Sequence, residues 1–311
     1  MLGLIIGYYF NFMNFSWTSI PIGGDVDSQV FDIAFVGEVV DDRGEYCKKI
    51  ALECSRLVYE VKYDAKSFTL SVGAVSWLAH QVDKIPGVIL GANILFDATT
   101  LDFPDMLLIL RGYLSSSQET RFSFLYAEPA SYSSRLNSEN NHDFNLADGY
   151  ANDHYPIPGF INLQRSPDEV ANVIAFVGFE SHRLRSLIAD AEGENPKRYN
   201  IVIGIPPFKT AWETHALMQN ASVLLNAQID EILYAGANNP YSCYAVLEML
   251  YNSRALNSSF EIAPLGTKPA GIAAALFAAD KRGVSVRYDY PRRSKGRSEG
   301  IGKVHVFTAW K

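Results

Sequence analysis

The 311-residue sequence predicts an α/β fold made of two tandem Rossmann-like units with mostly parallel sheets, related by a pseudo-twofold axis. Three observations predict it. The pentapeptide Ile33-Ala34-Phe35-Val36-Gly37 recurs as Ile174-Ala175-Phe176-Val177-Gly178. Each copy leads into a helix-like stretch, 44–57 in one case and 181–191 in the other. Each half then repeats the same succession of apolar strand, polar turn, proline and helix. Short continuous apolar runs of this kind read as strands buried on both faces, as in a parallel sheet.

The elements follow in order. After the first helix of each half comes a second strand, LVYEVKY at 57–63 and NIVIGIPPF at 200–208. Next comes ILFDATTLDFP at 94–104 running into DMLLILRGYL, matched by FEIAPLGTKP at 260–269 running into AGIAAALFAADK. Proline in the first helical turn marks a helix start, because its missing N–H has no partner to lose there. Each half closes on a Tyr-x-x-Pro strand, Tyr126 to Pro129 and Tyr288 to Pro291. The second half is longer, and 230–255 reads as one added strand and helix. The resulting division is an aromatic N-terminal segment at 1–30, a first half at 31–135, a linker at 136–170 and a second half at 171–311. The linker is rich in Asn, Ser, Asp and Pro, but its HYPIPGF core reads as packed.

A formal charge of −7 argues against a broad basic surface for duplex nucleic acid. The one basic cluster, Arg287, Arg292, Arg293, Lys295, Arg297 and Lys303, reads as a solvated loop. Cys47, Cys54 and Cys243 form no CxxC pair, so they are expected as free thiols in a reducing cytoplasm, without a metal site. The first 24 residues carry no charge. Polar residues interrupt that run and no basic region precedes it, so a buried strand or partner-contact segment is expected rather than a membrane anchor.

In open α/β sheets, ligands bind where strand ends meet helix N-termini. That rule selects Gly266-Thr267-Lys268-Pro269. Glycine admits a ligand to the backbone, threonine caps the helix or binds a phosphate oxygen, and lysine adds a positive charge. The alternative is a simple cap with Lys268 in water. Lysine opposes the dipole of the first helical turn, which favours an anion nearby. The corresponding turn of the first half, Asp97 to Asp102, supplies Thr99 and Thr100 and carboxylates instead, and faces the cationic turn if the halves pair. The turns after the repeated pentapeptide add Glu38 and Glu180. No GxGxxG, Walker A, GxSxG or HExxH pattern occurs, so no cofactor is predicted. The six histidines are scattered, and Glu128 is the best lone carboxylate for acid/base work.

FEIAPLGTKPAGIAAALFAAD resembles the strand, Gly-Thr-Lys turn and helix of CRISPR-associated Rossmann-fold (CARF) sensor domains, and ILFDATTLDFP is similar to their Asp-x-Thr strand and turn. The pentapeptide strands, the Pro158 to Phe160 turn and the PLGTKP turn also resemble tandem-Rossmann proteins of prokaryotic defence operons. The resemblance implies a module that binds a nucleotide or cyclic oligonucleotide through Thr267 and Lys268, with an operon-encoded effector as partner. Unlike the sensors, this chain holds two units and no recognisable effector. The leading expectation is a non-catalytic ligand-sensing or scaffold subunit of a defence system, with Gly266, Thr267 and Lys268 as ligand contacts. One alternative is a phosphodiesterase or glycosyl hydrolase using Lys268 to stabilise charge and Asp97 or Glu128 as acid/base. The other is an architectural interaction protein docking through its aromatic N-terminus.

Overall fold

The computed structural model describes residues 13–20, 30–132, 135–136, 142–143, 155–161, 169–189, 197–226, 229–255, 258–293, 296 and 298–311. Residues 1–12 and 21–29 of the N-terminal segment, most of the 136–170 linker, and Lys295 and Arg297 of the basic cluster lie outside the described residues.

The N-terminal segment contributes β1 (Asn14–Ile20), and the first half opens with β2 (Phe31–Val36), α1 (Asp42–Cys54), β3 (Ser55–Asp64), β4 (Thr69–Val72) and β5 (Val75–Leu78). A 3-10 turn at Ala79–Lys84 then leads into α2 (Ile85–Val88), β6 (Asn93–Asp97), α3 (Phe103–Leu114) and β7 (Arg121–Tyr132). Two short strands, β8 (Arg135–Leu136) and β9 (His142–Asp143), pair with each other. The second half runs β10 (Val170–Val177), α4 (Ser181–Ala189), β11 (Lys197–Gly204), α5 (Trp212–Asn226), β12 (Ile229–Ala235), α6 (Pro240–Ser253), β13 (Ser258–Pro264), α7 (Lys268–Asp280), β14 (Val284–Val286) and β15 (Ser298–Trp310).

The chain is an α/β protein with one mixed and one all-parallel sheet. The mixed sheet has eight strands in the order β1-β15-β7-β6-β2-β3-β4-β5. Its middle, β7-β6-β2-β3, is parallel. The other sheet, β12-β11-β10-β13-β14, is parallel throughout. Both copies of the pentapeptide form interior strands, β2 and β10, buried almost completely as their unbroken apolar sequence requires. The expected extra strand and helix at 230–255 are β12 and α6. The first helix is shorter than expected: α1 ends at Cys54, and Ser55 to Leu57 already belong to β3. β15 leaves the second half and pairs antiparallel with β7 of the first sheet, and β1 pairs with β15 at the sheet edge.

The layers follow from which faces are apolar. α3 and α7 are buried almost all round, so each needs neighbours on every side, and they pack on each other between the two sheets. α6 joins them against α7. One core runs through this middle layer from Ile33 and Phe35 to Ile174 and Phe176. A smaller core holds α1 on the outer face of the first sheet, and another lies on the outer face of the second beneath α4 and α5. The 155–161 stretch of the linker packs, as its sequence predicts: Ile157 and Phe160 are buried, and Val286 N–H donates to the Phe160 carbonyl at 2.8 Å.

Helix starts are fixed by side chains. Asp41 caps α1 by accepting from Gly44 N–H at 3.1 Å. Asp102 and Asp105 form a capping box on α3, and Pro104 sits in its first turn. Asn239 caps α6 and Thr267 caps α7. No helix among the described residues is long and apolar enough to cross a membrane.

Candidate functional site

Strand order reverses around β10, with β11 on one side and β13 on the other. The loops leaving β10 and β13 therefore separate and open a crevice at the carboxyl ends of the strands. Two joined compartments occupy it. The larger, about 140 Å³, lies between the second sheet and the start of α3, and Arg43, Asp102, Arg183, Lys268 and Arg293 line it. The smaller, about 80 Å³, sits over the ends of β10 and β11, walled by Phe179, Phe208 and Trp212 with Glu213. Tyr132, Glu180, Arg183, Gly266 and Thr267 line both. Each compartment is below the roughly 300–1,000 Å³ of a typical small-molecule site, and so are the two together, so a ligand of nucleotide size would span both and extend beyond them.

In the first sheet the space at the carboxyl ends of β2 and β6 is closed. Asp102, the cap of α3, follows the strand end Asp97 by five positions, whereas Thr267 follows the strand end Pro264 by three. The longer turn folds back over the end of β2. Thr100 Oγ1 accepts from Gly37 N–H at 2.9 Å, and Thr99 Oγ1 accepts from Ala127 N–H at 3.0 Å. A Cβ on Gly37 would stand 2.4 Å from the Thr100 carbonyl oxygen. At Gly178 the nearest atom to such a Cβ is the Leu265 carbonyl oxygen at 3.5 Å, so the second crevice stays open.

The sequence-predicted residues therefore separate. Gly266, Thr267, Lys268 and Glu180 come together in the cleft. Thr267 caps α7 as expected, and its hydroxyl also donates to the Ala237 carbonyl at 2.7 Å. Lys268 does not point into water, since its ammonium donates to the Leu101 carbonyl across the cleft. The acidic turn and the cationic turn thus face each other, joined through a backbone carbonyl. Asp97, Thr99 and Thr100 are buried and line neither compartment. The Asp97 carboxylate accepts from Thr99 N–H at 3.1 Å, Thr100 N–H at 3.3 Å and Thr100 Oγ1 at 2.7 Å. Burial pushes its pKa up to about 6, against the pull of those hydrogen bonds and of Lys268. Glu38 is exposed and lines neither compartment.

Glu128 has a partner that its sequence position does not reveal. Its Oε1 lies 2.6 Å from Nε2 of His305, which is buried on β15. His305 Nδ1 receives the Trp17 indole N–H at 3.0 Å and lies 2.8 Å from Ser19 Oγ. An indole N–H only donates, so Nδ1 is the acceptor and the ring proton sits on Nε2, facing Glu128.

Sequence reasoning missed the arginines of the cleft. Arg183, in the first turn of α4, makes two 2.6 Å bonds to Asp289 and a 2.9 Å bond to the Leu265 carbonyl. Burial works against its charge, but the bonds to Asp289 outweigh this and raise its pKa. Arg43 occupies a similar place on α1, bonded to Asp41 and, at 3.4 Å, to the Ala127 carbonyl. The solvated-loop reading of the basic cluster is corrected for two members. Arg293 is largely buried, donating to the carbonyls of Thr100 at 2.7 Å and Leu101 at 2.6 Å and pairing with Asp102. Arg287 pairs with Glu261 at 2.9 Å. Arg292 and Lys303 are exposed as expected. Four cations line the larger compartment, and its three arginines are each paired with a carboxylate: Arg43 with Asp41, Arg183 with Asp289 and Arg293 with Asp102. Among the described residues no group of three or more His, Cys, Asp or Glu could hold a metal ion.

Fold and cleft together define an α/β protein with its crevice at the carboxyl ends of a parallel sheet. Comparison with protein-family models and with curated proteins finds no match to this chain.

Proposed function

We propose that this chain is a non-catalytic nucleotide-binding sensor or scaffold subunit, built from two copies of one Rossmann-like unit, of which the second keeps its ligand crevice open. One observation carries the reading. A crevice closed by Thr99 and Thr100 in the first sheet is vacant in the second, and there it is walled by Arg183, Lys268 and Arg293 beside an aromatic compartment. The equivalence of the copies is supported by β2 and β10, by the matched caps Asp102 and Thr267, and by Arg43 and Arg183. Phosphate oxygens suit the cation-lined compartment at the start of α7, where Lys268 stands at the positive end of the helix. Binding without turnover fits the carboxylates of that compartment, since Asp102 and Glu180 face arginines rather than a position where they would take protons.

The resemblance to CARF sensors extends the reading to a prokaryotic defence system, in which the bound nucleotide or cyclic oligonucleotide sets the state of an operon-encoded effector. Calorimetry with mononucleotides and cyclic oligonucleotides, followed by mass analysis of the mixtures, tests it. Binding with the ligand recovered intact supports the proposal, whereas no binding or a processed ligand counts against it.

A second, catalytic reading is favoured by Ser19, His305 and Glu128. Hydroxyl, imidazole and carboxylate are in series within hydrogen-bond reach, with the Ser19 hydroxyl and the Trp17 indole N–H sharing the imidazole acceptor. An activated Ser19 displaces fluoride from a fluorophosphonate and keeps the phosphonyl group, which mass spectrometry reads directly. Absence of labelling on Ser19 removes this reading.

A further inference from the structure

A sheet that ends on an open strand edge admits a further strand, and folded chains guard such edges with short length, charge, proline or a bulge. Among the described residues the two large sheets end on four strands. β5 spans four residues and β14 three, and β14 is buried throughout. β12 carries Asp230 and Glu231, both exposed, with a register shift that skips Asp230. β1 has none of these guards. Its seven residues contain neither charge nor proline, and they pair with β15 position by position without a bulge. In an antiparallel ladder alternate residues turn their N–H and C=O away from the neighbouring strand, so the far edge of β1 offers donors and acceptors to another chain. Asn14, Ser16, Trp17, Thr18 and Ser19 are all exposed.

Aromatic side chains flank that edge on one face. Trp17 is held by its bond to His305 and packs on Phe307, with ring centroids 5.7 Å apart, yet it remains 45% exposed. Phe15, on the same face of the strand, lies 5.6 Å from Tyr241 of α6, which is 57% exposed. Exposed tryptophan and tyrosine beside an open edge have the composition of a contact surface. With a net charge of −7, contact between two copies is least opposed where the surface is neutral, as it is along β1. We propose that β1 pairs antiparallel with β1 of a second copy about a twofold axis at Trp17, joining two eight-stranded sheets into one. The strand is its own complement in that register. Trp17 faces the partner's Trp17, an aromatic cross-strand pair, and Ser16 faces the partner's Thr18, hydroxyl to hydroxyl. β12 paired with itself would instead bring the exposed carboxylates of two copies together.

Sedimentation equilibrium of the full chain over about 1–100 μM tests this, alongside two double variants, Ser16→Lys with Thr18→Lys and Ser16→Glu with Thr18→Glu. Both positions are exposed, so the fold is expected to persist, and melting temperatures check it. The expected result is a wild-type dimer. Each double variant alone is expected to dimerise at least about tenfold more weakly, because like charges then face each other across the axis. An equal mixture of the two, which sets lysine against glutamate, is expected to recover the dimer. A wild-type chain that stays monomeric across the range overturns the proposal, and so do double variants that dimerise as tightly as wild type. Weakening in both variants without recovery in the mixture overturns the pairing about Trp17.

Discussion

The ammonium of Lys268, at the start of α7, donates to the carbonyl of Leu101, which immediately precedes Asp102, the cap of α3. Arg293 donates to the same carbonyl at 2.6 Å. Lys268 therefore ties the first turn of α7 to that of α3, Arg293 ties the segment after β14 to the same α3 turn, and the larger compartment opens beside them. Lys268→Ala removes one of the two, so about 1 kcal/mol of stability is expected to be lost in urea denaturation, with the fold retained through Arg293. The same variant is expected to bind pyrophosphate about tenfold more weakly. Unchanged pyrophosphate affinity would confine Lys268 to a structural role.

The two pentapeptide glycines are expected to respond in opposite ways to one methyl group. In Gly37→Ala the new Cβ meets the Thr100 carbonyl oxygen at 2.4 Å, with backbone on both sides, so a loss of about 2–3 kcal/mol is expected. In Gly178→Ala the nearest atom is 3.5 Å away, an ordinary contact, and the loss should stay below about 1 kcal/mol. Equilibrium unfolding of the two variants side by side measures the difference. Equal losses would mean that the second crevice is as closed as the first.

Arg183 is held by a forked pair of bonds to Asp289 and by the Leu265 carbonyl, with both charged side chains largely removed from solvent. Arg183→Ala leaves the Asp289 charge without its partner and should cost about 3–5 kcal/mol. Arg183→Lys restores the charge but not the fork, so only part of that loss should be recovered. Denaturation midpoints of the two variants check both statements, and a lysine variant as stable as wild type would contradict the geometric argument.

These residues show where the sequence was readable and where it was not. Ile33 to Gly37 and Ile174 to Gly178 are legible as strands because burial on both faces demands an unbroken apolar run. The added unit at 230–255 is legible because Asn239 and Pro240 announce a helix. β15 reads locally as a strand, but its partner β7 lies about 170 positions upstream, and nothing within 298–310 names the sheet it joins. In the site, the Gly-Thr-Lys turn is legible from its glycine, cap and proline. Arg183 and Arg293 are not, because their partners lie 106 and more than 190 positions away. An arginine among Ser, Gly and Lys has the composition of a solvated loop until the fold brings Leu101 to it. Thr99, Thr100 and Asp97 are legible as turn residues, but that they turn inward and fill the crevice depends on a turn two residues longer packing against Gly37.

Asp97 makes stability depend on pH. Its pKa is raised by burial from the ordinary carboxylate range to about 6. The neutral form is therefore the one the fold prefers. Its contribution is complete below about pH 4 and is lost as pH rises through 6. Asp105, also raised by burial and by the neighbouring Asp102, acts in the same direction. Asp97→Asn keeps the acceptor for the Thr99 and Thr100 amides and removes the titration. Relative to wild type it is expected to gain about 2–3 kcal/mol between pH 4 and pH 7 in urea denaturation. A difference between the two proteins that stays constant over that range would contradict a protonated Asp97 in the fold.

The central claim is that the open crevice of the second sheet holds a phosphate-bearing ligand. A crystal structure determined after soaking with GMP tests it most directly. The account predicts phosphate density within hydrogen-bond distance of the Lys268 ammonium, with the base in the aromatic compartment beside Phe179. Nucleotide density elsewhere on the chain, or an empty cleft at saturating nucleotide, would contradict it.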